Sequence, residues 1–293
     1  MNNKECKCHL SHKHKNTYNC YVLMLSYKVF KHFENQEWVT FIHGAGGSSS
    51  IWHKQIKALS KQYNLLLIDL RGHGNSTKMK LPVSTYNFEL LGNDILEVLD
   101  HLSIKTSHFI GISLGTILIR DLAERFPHRV QSMILGGAVM KINLRGQLLI
   151  HLGKTFRKVI PYLMLYRLFA WVIMPRKSHR TSRNIFINEA KKLYQKEFIR
   201  WFALTSKLNP VLRLFRLRPS SIPTLFIMGK EDHMFLPSIK KLVQLQKNVQ
   251  LIVIPNAGHV VNIDQPLLFN NSVLHFLNQT KFNPIFVRNE LTS

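Results

Sequence analysis

Gly111-Ile112-Ser113-Leu114-Gly115 follows the apolar run His108-Phe109-Ile110, and this G-x-S-x-G stretch reads as a strand turning sharply into a helix. Such a turn pushes the Ser113 hydroxyl outward as a nucleophile. The small residues at 111 and 115 have a physical reason. The nucleophile sits in strained backbone, and side chains at those positions would collide with the neighbouring strand and helix. A pentapeptide match also arises by chance around a buried serine, so its surroundings decide the reading.

Upstream, Trp38-Val39-Thr40-Phe41-Ile42 is a β-branched and aromatic run that breaks into His43-Gly44-Ala45-Gly46-Gly47, a loop able to present backbone N–H groups to an anion. Leu65-Leu66-Leu67-Ile68 reads as a buried strand closed by the polar turn Asp69 to Ser76. Downstream, Pro223 to Gly229 predicts a strand that delivers Asp232 at its carboxyl end, and Gln250 to Pro255 one that delivers His259. Short apolar strands alternating with helical patterns predict an α/β fold, a mostly parallel doubly wound sheet with helices on both faces. Sites in such sheets gather at the carboxyl ends of the strands.

These motifs, in this order over roughly residues 24 to 279, resemble the α/β-hydrolase family of the serine-nucleophile type with a helical cap. The chain order Ser113, Asp232, His259 is that family's order of nucleophile, acid and base. A serine hydroxyl is a poor nucleophile near neutral pH. It needs a base, His259, and an orienter, Asp232, whose neighbours Glu231 and His233 compete for the role. The resemblance implies that the N–H groups of Ala45 and Leu114 form the oxyanion hole. A serine at this position argues against the dehalogenase and epoxide hydrolase relatives, which use an aspartate there. His43 reads as a strand-end residue propping the Gly loop, Asp69, Arg71 and His73 as turn scaffold, and Asp94 as a helix-face charge. His43, Gly44, Trp52, Met140, Phe169, Trp171 and Trp201 are the candidates for lining a substrate pocket, chosen for position or for aromatic or flexible character.

The 293 residues are 45% hydrophobic, enough for one large domain with an insertion and against disorder. Residues 24–137 and 223–279 are assigned to the hydrolase core, 138–222 to the cap, and 280–293 to a C-terminal tail. No apolar run approaches the 18 or more residues of a membrane span, and Tyr21 to Leu25 is too short for a signal-peptide core, so a cytoplasmic location is expected by default. Cys6, Cys8 and Cys20 all fall within residues 1–23 beside His9, His12 and His14. That segment is read as a disordered basic leader, with a soft-metal site as the alternative; no metal or organic cofactor is expected for the reaction.

The net charge of +24 is concentrated. Between Ala138 and Ile222 stand 18 Lys and Arg against Glu189 and Glu197. Apolar stripes such as Tyr162 to Leu165 and Leu168 to Met174 interleave there with Lys154, Arg157, Lys158, Arg167, Arg176 and Lys177, the pattern of an interfacial helix. Peripheral contact with anionic lipid or an acidic partner is therefore weighed against plain packing on the core. No nucleic-acid module is present in the sequence, so no nucleic-acid partner is expected. The expected activity is hydrolysis of a carboxylic ester or thioester of a small or lipophilic substrate through an acyl-enzyme. The same triad also fits carbon–carbon bond hydrolysis and cofactor-free perhydrolysis. A slow-turnover ligand sensor is the alternative from another class.

Overall fold

The computed structural model describes residues 6–8, 20–22, 24–32, 34, 36–79, 85–156, 160–246 and 248–282. Strands β1 (Cys6–Cys8) and β2 (Cys20–Val22) pair as an antiparallel ribbon within the segment expected to be disordered. The side chains of Cys6, Cys8 and Cys20, and all of His9, His12 and His14, lie outside the described part, and with them the metal alternative.

Seven strands form the main sheet: β3 (Tyr27–Phe30), β4 (Trp38–Ile42), β5 (Asn64–Ile68), β6 (Ser107–Ile112), β7 (Val130–Gly136), β8 (Thr224–Gly229) and β9 (Val249–Ile254). Their order is β3-β5-β4-β6-β7-β8-β9, with β3 antiparallel to β5 and every other pair parallel. The β5, β6 and β8 strands are buried along their whole length, as parallel strands covered on both faces must be. Alternation sorts their side chains into two cores. Leu66, Phe109, Leu135 and Phe226 face one side, while Leu65, Leu67, Ile110, Ile134 and Leu225 face the other.

The first core is closed by α2 (Phe88–His101), α3 (Leu114–Arg125) and α9 (Leu236–Val243), through residues such as Ile95, Leu118 and Ile239. The second is closed by α1 (His53–Leu59), α10 (Val261–Asp264) and α11 (Pro266–Phe282), through Leu59, Ile263 and Phe269. The α11 helix runs past residue 279, so the first part of the expected tail is helical; residues 283–293 lie outside the described part. Between β7 and β8 the chain inserts α4 (Leu144–Phe156), α5 (Tyr162–Ile173), α6 (Arg180–Ala190), α7 (Gln195–Leu204) and α8 (Leu208–Leu217). They carry a small apolar core of their own, built on Leu165, Tyr166, Leu193, Phe198 and Phe202.

Candidate active site

Ser113 occupies the hinge between β6 and α3 with φ 54° and ψ −117°, a left-handed conformation rare for a residue with a Cβ. The turn tolerates nothing larger than glycine beside it. A Cβ on Gly115 would fall 2.3 Å from the Ile42 carbonyl oxygen, and one on Gly111 would fall 2.6 Å from Ile119 Cδ1. The strain is held by the sheet, since Ser113 N donates to Gly136 O at 3.1 Å.

Two other strand ends supply its partners. Asp232 follows β8 and is fully buried; its Oδ1 accepts the Phe235 N–H at 3.1 Å and its Oδ2 lies 2.9 Å from His259 Nδ1. His259 follows β9, and its Nε2 lies 2.9 Å from Ser113 Oγ. A carboxylate on Nδ1 fixes the tautomer with the proton there, which leaves Nε2 as the acceptor for the serine hydroxyl. Three side chains from three strand ends, separated by up to 146 residues, thus form one hydrogen-bonded line.

The Gly loop is set by two buried histidines. His43 Nδ1 lies 2.8 Å from Gly44 O and His43 Nε2 accepts the Leu70 N–H at 2.9 Å. His73 Nε2 accepts the Gly46 N–H at 2.9 Å, and His73 Nδ1 lies 3.0 Å from Arg71 O. Each ring donates from Nδ1 and accepts at Nε2, which only the neutral form can do. Burial lowers the His43 pKa; burial, with His43 alongside, pushes that of His73 down to about 3. Asp69 completes the turn scaffold, accepting the N–H groups of Ser49 at 2.6 Å and Asn75 at 2.9 Å. Among the described residues neither the Ala45 nor the Leu114 N–H is taken up by a protein acceptor, and both residues line the cavity next to Ser113.

That cavity is about 250 Å³ and overwhelmingly apolar, and it lies between the strand ends and the inserted helices. Gly44, Phe169 and Trp201 line it as expected. Four other candidates do not. His43 is buried beneath the loop that it supports. Trp52 packs on Phe41 with ring centroids 5.0 Å apart, in the core beneath the sheet. Met140 is buried, and its carbonyl accepts from Arg216. Trp171 points outward, 54% exposed, with the Arg183 guanidinium 3.8 Å from its ring centroid. Chain position for His43 and side-chain type for the others carried those assignments, and neighbouring surfaces decide which way a side chain faces. Asp94 is likewise no solvent-facing charge: it is buried and paired with Arg71, whose Nε donates to Oδ2 at 2.8 Å.

One contact has no signal in the sequence. The carboxylate of Glu231, beside Asp232, lies 2.8 Å from His179 Nε2 and 2.9 Å from Arg176, and accepts from Ser178 Oγ at 2.9 Å. His179, between α5 and α6, is fully buried with its ring against Gly258, where a Cβ would fall 2.7 Å from Nε2. The inserted helices thus grip both loops that carry Asp232 and His259. The other neighbour of Asp232, His233, is exposed.

Residues 37–165 match the sequence profile of the alpha/beta hydrolase fold. The chain is 26% identical over 271 residues to a putative carbamate hydrolase RutD of Acinetobacter baylyi, covering 86% of this chain and 98% of the relative. It is 27% identical over 265 residues to 3-oxoadipate enol-lactonase 2 of the same organism, covering 88% and 95%. The crystal structure of a hydrolase from Pseudomonas aeruginosa superposes with a TM-score of 0.73 at 25% identity, covering 86% of this chain and 94% of that one. A strained serine after the central strand, an aspartate and a histidine at later strand ends, the sheet order and these likenesses agree: the chain has the α/β-hydrolase fold.

Proposed function

We propose that the protein is a serine hydrolase that cleaves neutral carboxylic esters or thioesters with an apolar acyl part. The observation that carries the reading is the Ser113–His259–Asp232 line opening onto an apolar cavity. Relatives that act on a lactone and on a carbamate support the ester-type class.

In this mechanism His259 Nε2 accepts the Ser113 proton as Oγ attacks the acyl carbon, and the carbonyl oxygen becomes an anion. The Ala45 and Leu114 N–H groups receive it, each donor being worth about 10²-fold or more in rate. Asp232 stabilises the imidazolium. Collapse of the intermediate breaks the bond to the leaving alcohol or thiol, which takes the proton from His259, and the acyl group stays on Ser113. Water then gives its proton to His259 and attacks the acyl carbon, and Ser113 leaves with that proton, releasing the carboxylic acid.

The test is hydrolysis of p-nitrophenyl esters from acetyl to palmitoyl by the wild type and by Ser113→Ala. Sustained turnover is expected, with an optimum at an intermediate or long acyl chain and a loss of roughly 10⁴-fold or more in the variant. Turnover no faster than the variant's on every ester overturns the reading. A burst of one equivalent that then stalls also overturns it, in favour of a ligand sensor.

A further inference from the structure

The α4 and α5 helices are apolar on two opposite faces. Their inner faces, through Leu149, Ile150, Phe169 and Ile173, wall the cavity. Their outer faces carry a second set. On α4, Leu144, Leu148, Leu152 and Phe156 repeat every fourth residue, and all are exposed, Leu144 by 82% and Leu148 by 58%. On α5, Met164, Leu168 and Trp171, spaced by four and three residues, are exposed along one face. The helices adjoin, with Phe169 reaching Gly153. A helix apolar all round is ordinarily buried on all sides, and contiguous outward apolar surface of this kind marks an interaction site.

Charge selects the occupant. The insertion carries 18 Lys and Arg against two Glu, and both Glu are spoken for: Glu189 binds Ser48 and Lys192, and Glu197 binds Tyr86 and Arg200. Lys154, Arg167, Lys177 and Arg180 are exposed and have no ion pair among the described residues. Two copies meeting through this face would bring like charges together. An anionic lipid surface instead accepts the apolar side chains below its headgroups and the cations among them.

We infer that the outer face of α4 and α5 docks the protein on anionic membranes, with the cavity on the other side of the same two helices. Trp171, amphipathic and clasped by Arg183, is suited to the headgroup level. Docking needs no catalysis, so Ser113→Ala protein binds as the wild type does, and failure of the hydrolase reading leaves this inference standing.

The test is co-sedimentation of the full chain with vesicles of phosphatidylcholine alone and of phosphatidylcholine with phosphatidylglycerol. Binding to the mixed vesicles, weakened by salt, is expected, with at least about tenfold weaker partitioning for Leu148→Gln/Leu152→Gln/Met164→Gln/Leu168→Gln. Should that variant fold poorly by circular dichroism, brominated phosphatidylcholine in the mixed vesicles serves with the wild type. Of the four tryptophans, Trp52 and Trp201 are buried and the half-buried Trp38 starts β4, at the end of that strand away from the cavity, so quenching reports chiefly on Trp171. Quenching on binding supports the inference. No binding to mixed vesicles, binding unchanged in a folded variant, binding without quenching, or a dimer in sedimentation velocity that the variant abolishes would each overturn it.

Discussion

The two sides of the candidate active site are held by different physics. On the core side, the Ser113 elbow and the Gly loop are fixed by backbone packing, by neutral histidines and by one buried ion pair. On the cap side, the loops bearing Asp232 and His259 are gripped by a charged and polar cluster around Glu231. The core side belongs to the folding unit itself, so damage there is expected to appear as lost stability. The cap side spans two units that meet at the chemistry, so damage there is expected to appear as lost rate.

The largest expected effect is on the core side. Arg71→Met strands the Asp94 carboxylate in a buried site, and removing one partner of such a pair costs about 3–5 kcal/mol. Urea denaturation should show that loss, while kcat of the remaining folded protein at low temperature stays near the wild-type value. A large fall in kcat without a fall in stability would break the contrast.

On the cap side the expectation reverses. His179→Ala removes the ring that joins Glu231 to Gly258, and kcat on an ester substrate should fall about tenfold with little change in KM, a loss of about 1.4 kcal/mol in transition-state stabilisation. Steady-state kinetics beside a thermal melt decides it. If KM moves instead, the clamp shapes the cavity rather than the base.

A third expectation sharpens the comparison through pH. His73 has a folded pKa of about 3, against an ordinary value of 6.5. The unfolded chain therefore binds a proton that the folded chain refuses as pH falls below 6.5. The stability contributed by His73 is complete above that value and is lost towards its folded pKa, at up to about 1.4 kcal/mol per pH unit. His43, also lowered by burial, adds in the same direction. Urea midpoints between pH 7 and pH 5 should fall accordingly, and a His73→Asn protein should show a shallower dependence.

What was legible in the sequence follows the same division. The strands β4, β5, β6 and β8 announce themselves because burial on both faces demands unbroken apolar runs. The elbow is legible because its glycines answer to steric contacts only a few residues away in chain or space. Strand β3 was missed: it has four residues, one of them Lys28, and lies at the sheet edge, where burial demands little. Asp94 was misread because its partner lies 23 residues away, and the Glu231–His179 contact was invisible because 52 residues separate them. Trp52, Met140 and Trp171 show the same limit: composition announces an apolar side chain, but only the assembled surfaces say whether it meets the cavity, the core or the solvent.

Glu189 lies in the cavity wall, with one oxygen receiving Ser48 Oγ at 2.6 Å and the other bound to Lys192. Among the described lining residues it is the one carboxylate, and no lysine or arginine faces the space beside it. The ester hydrolysis proposed above would turn a neutral guest into an anion inside that space, and turnover is then expected to resist inhibition by the acid product. Replacing Glu189 with Gln should make the departing acid linger, visible as curvature in progress curves.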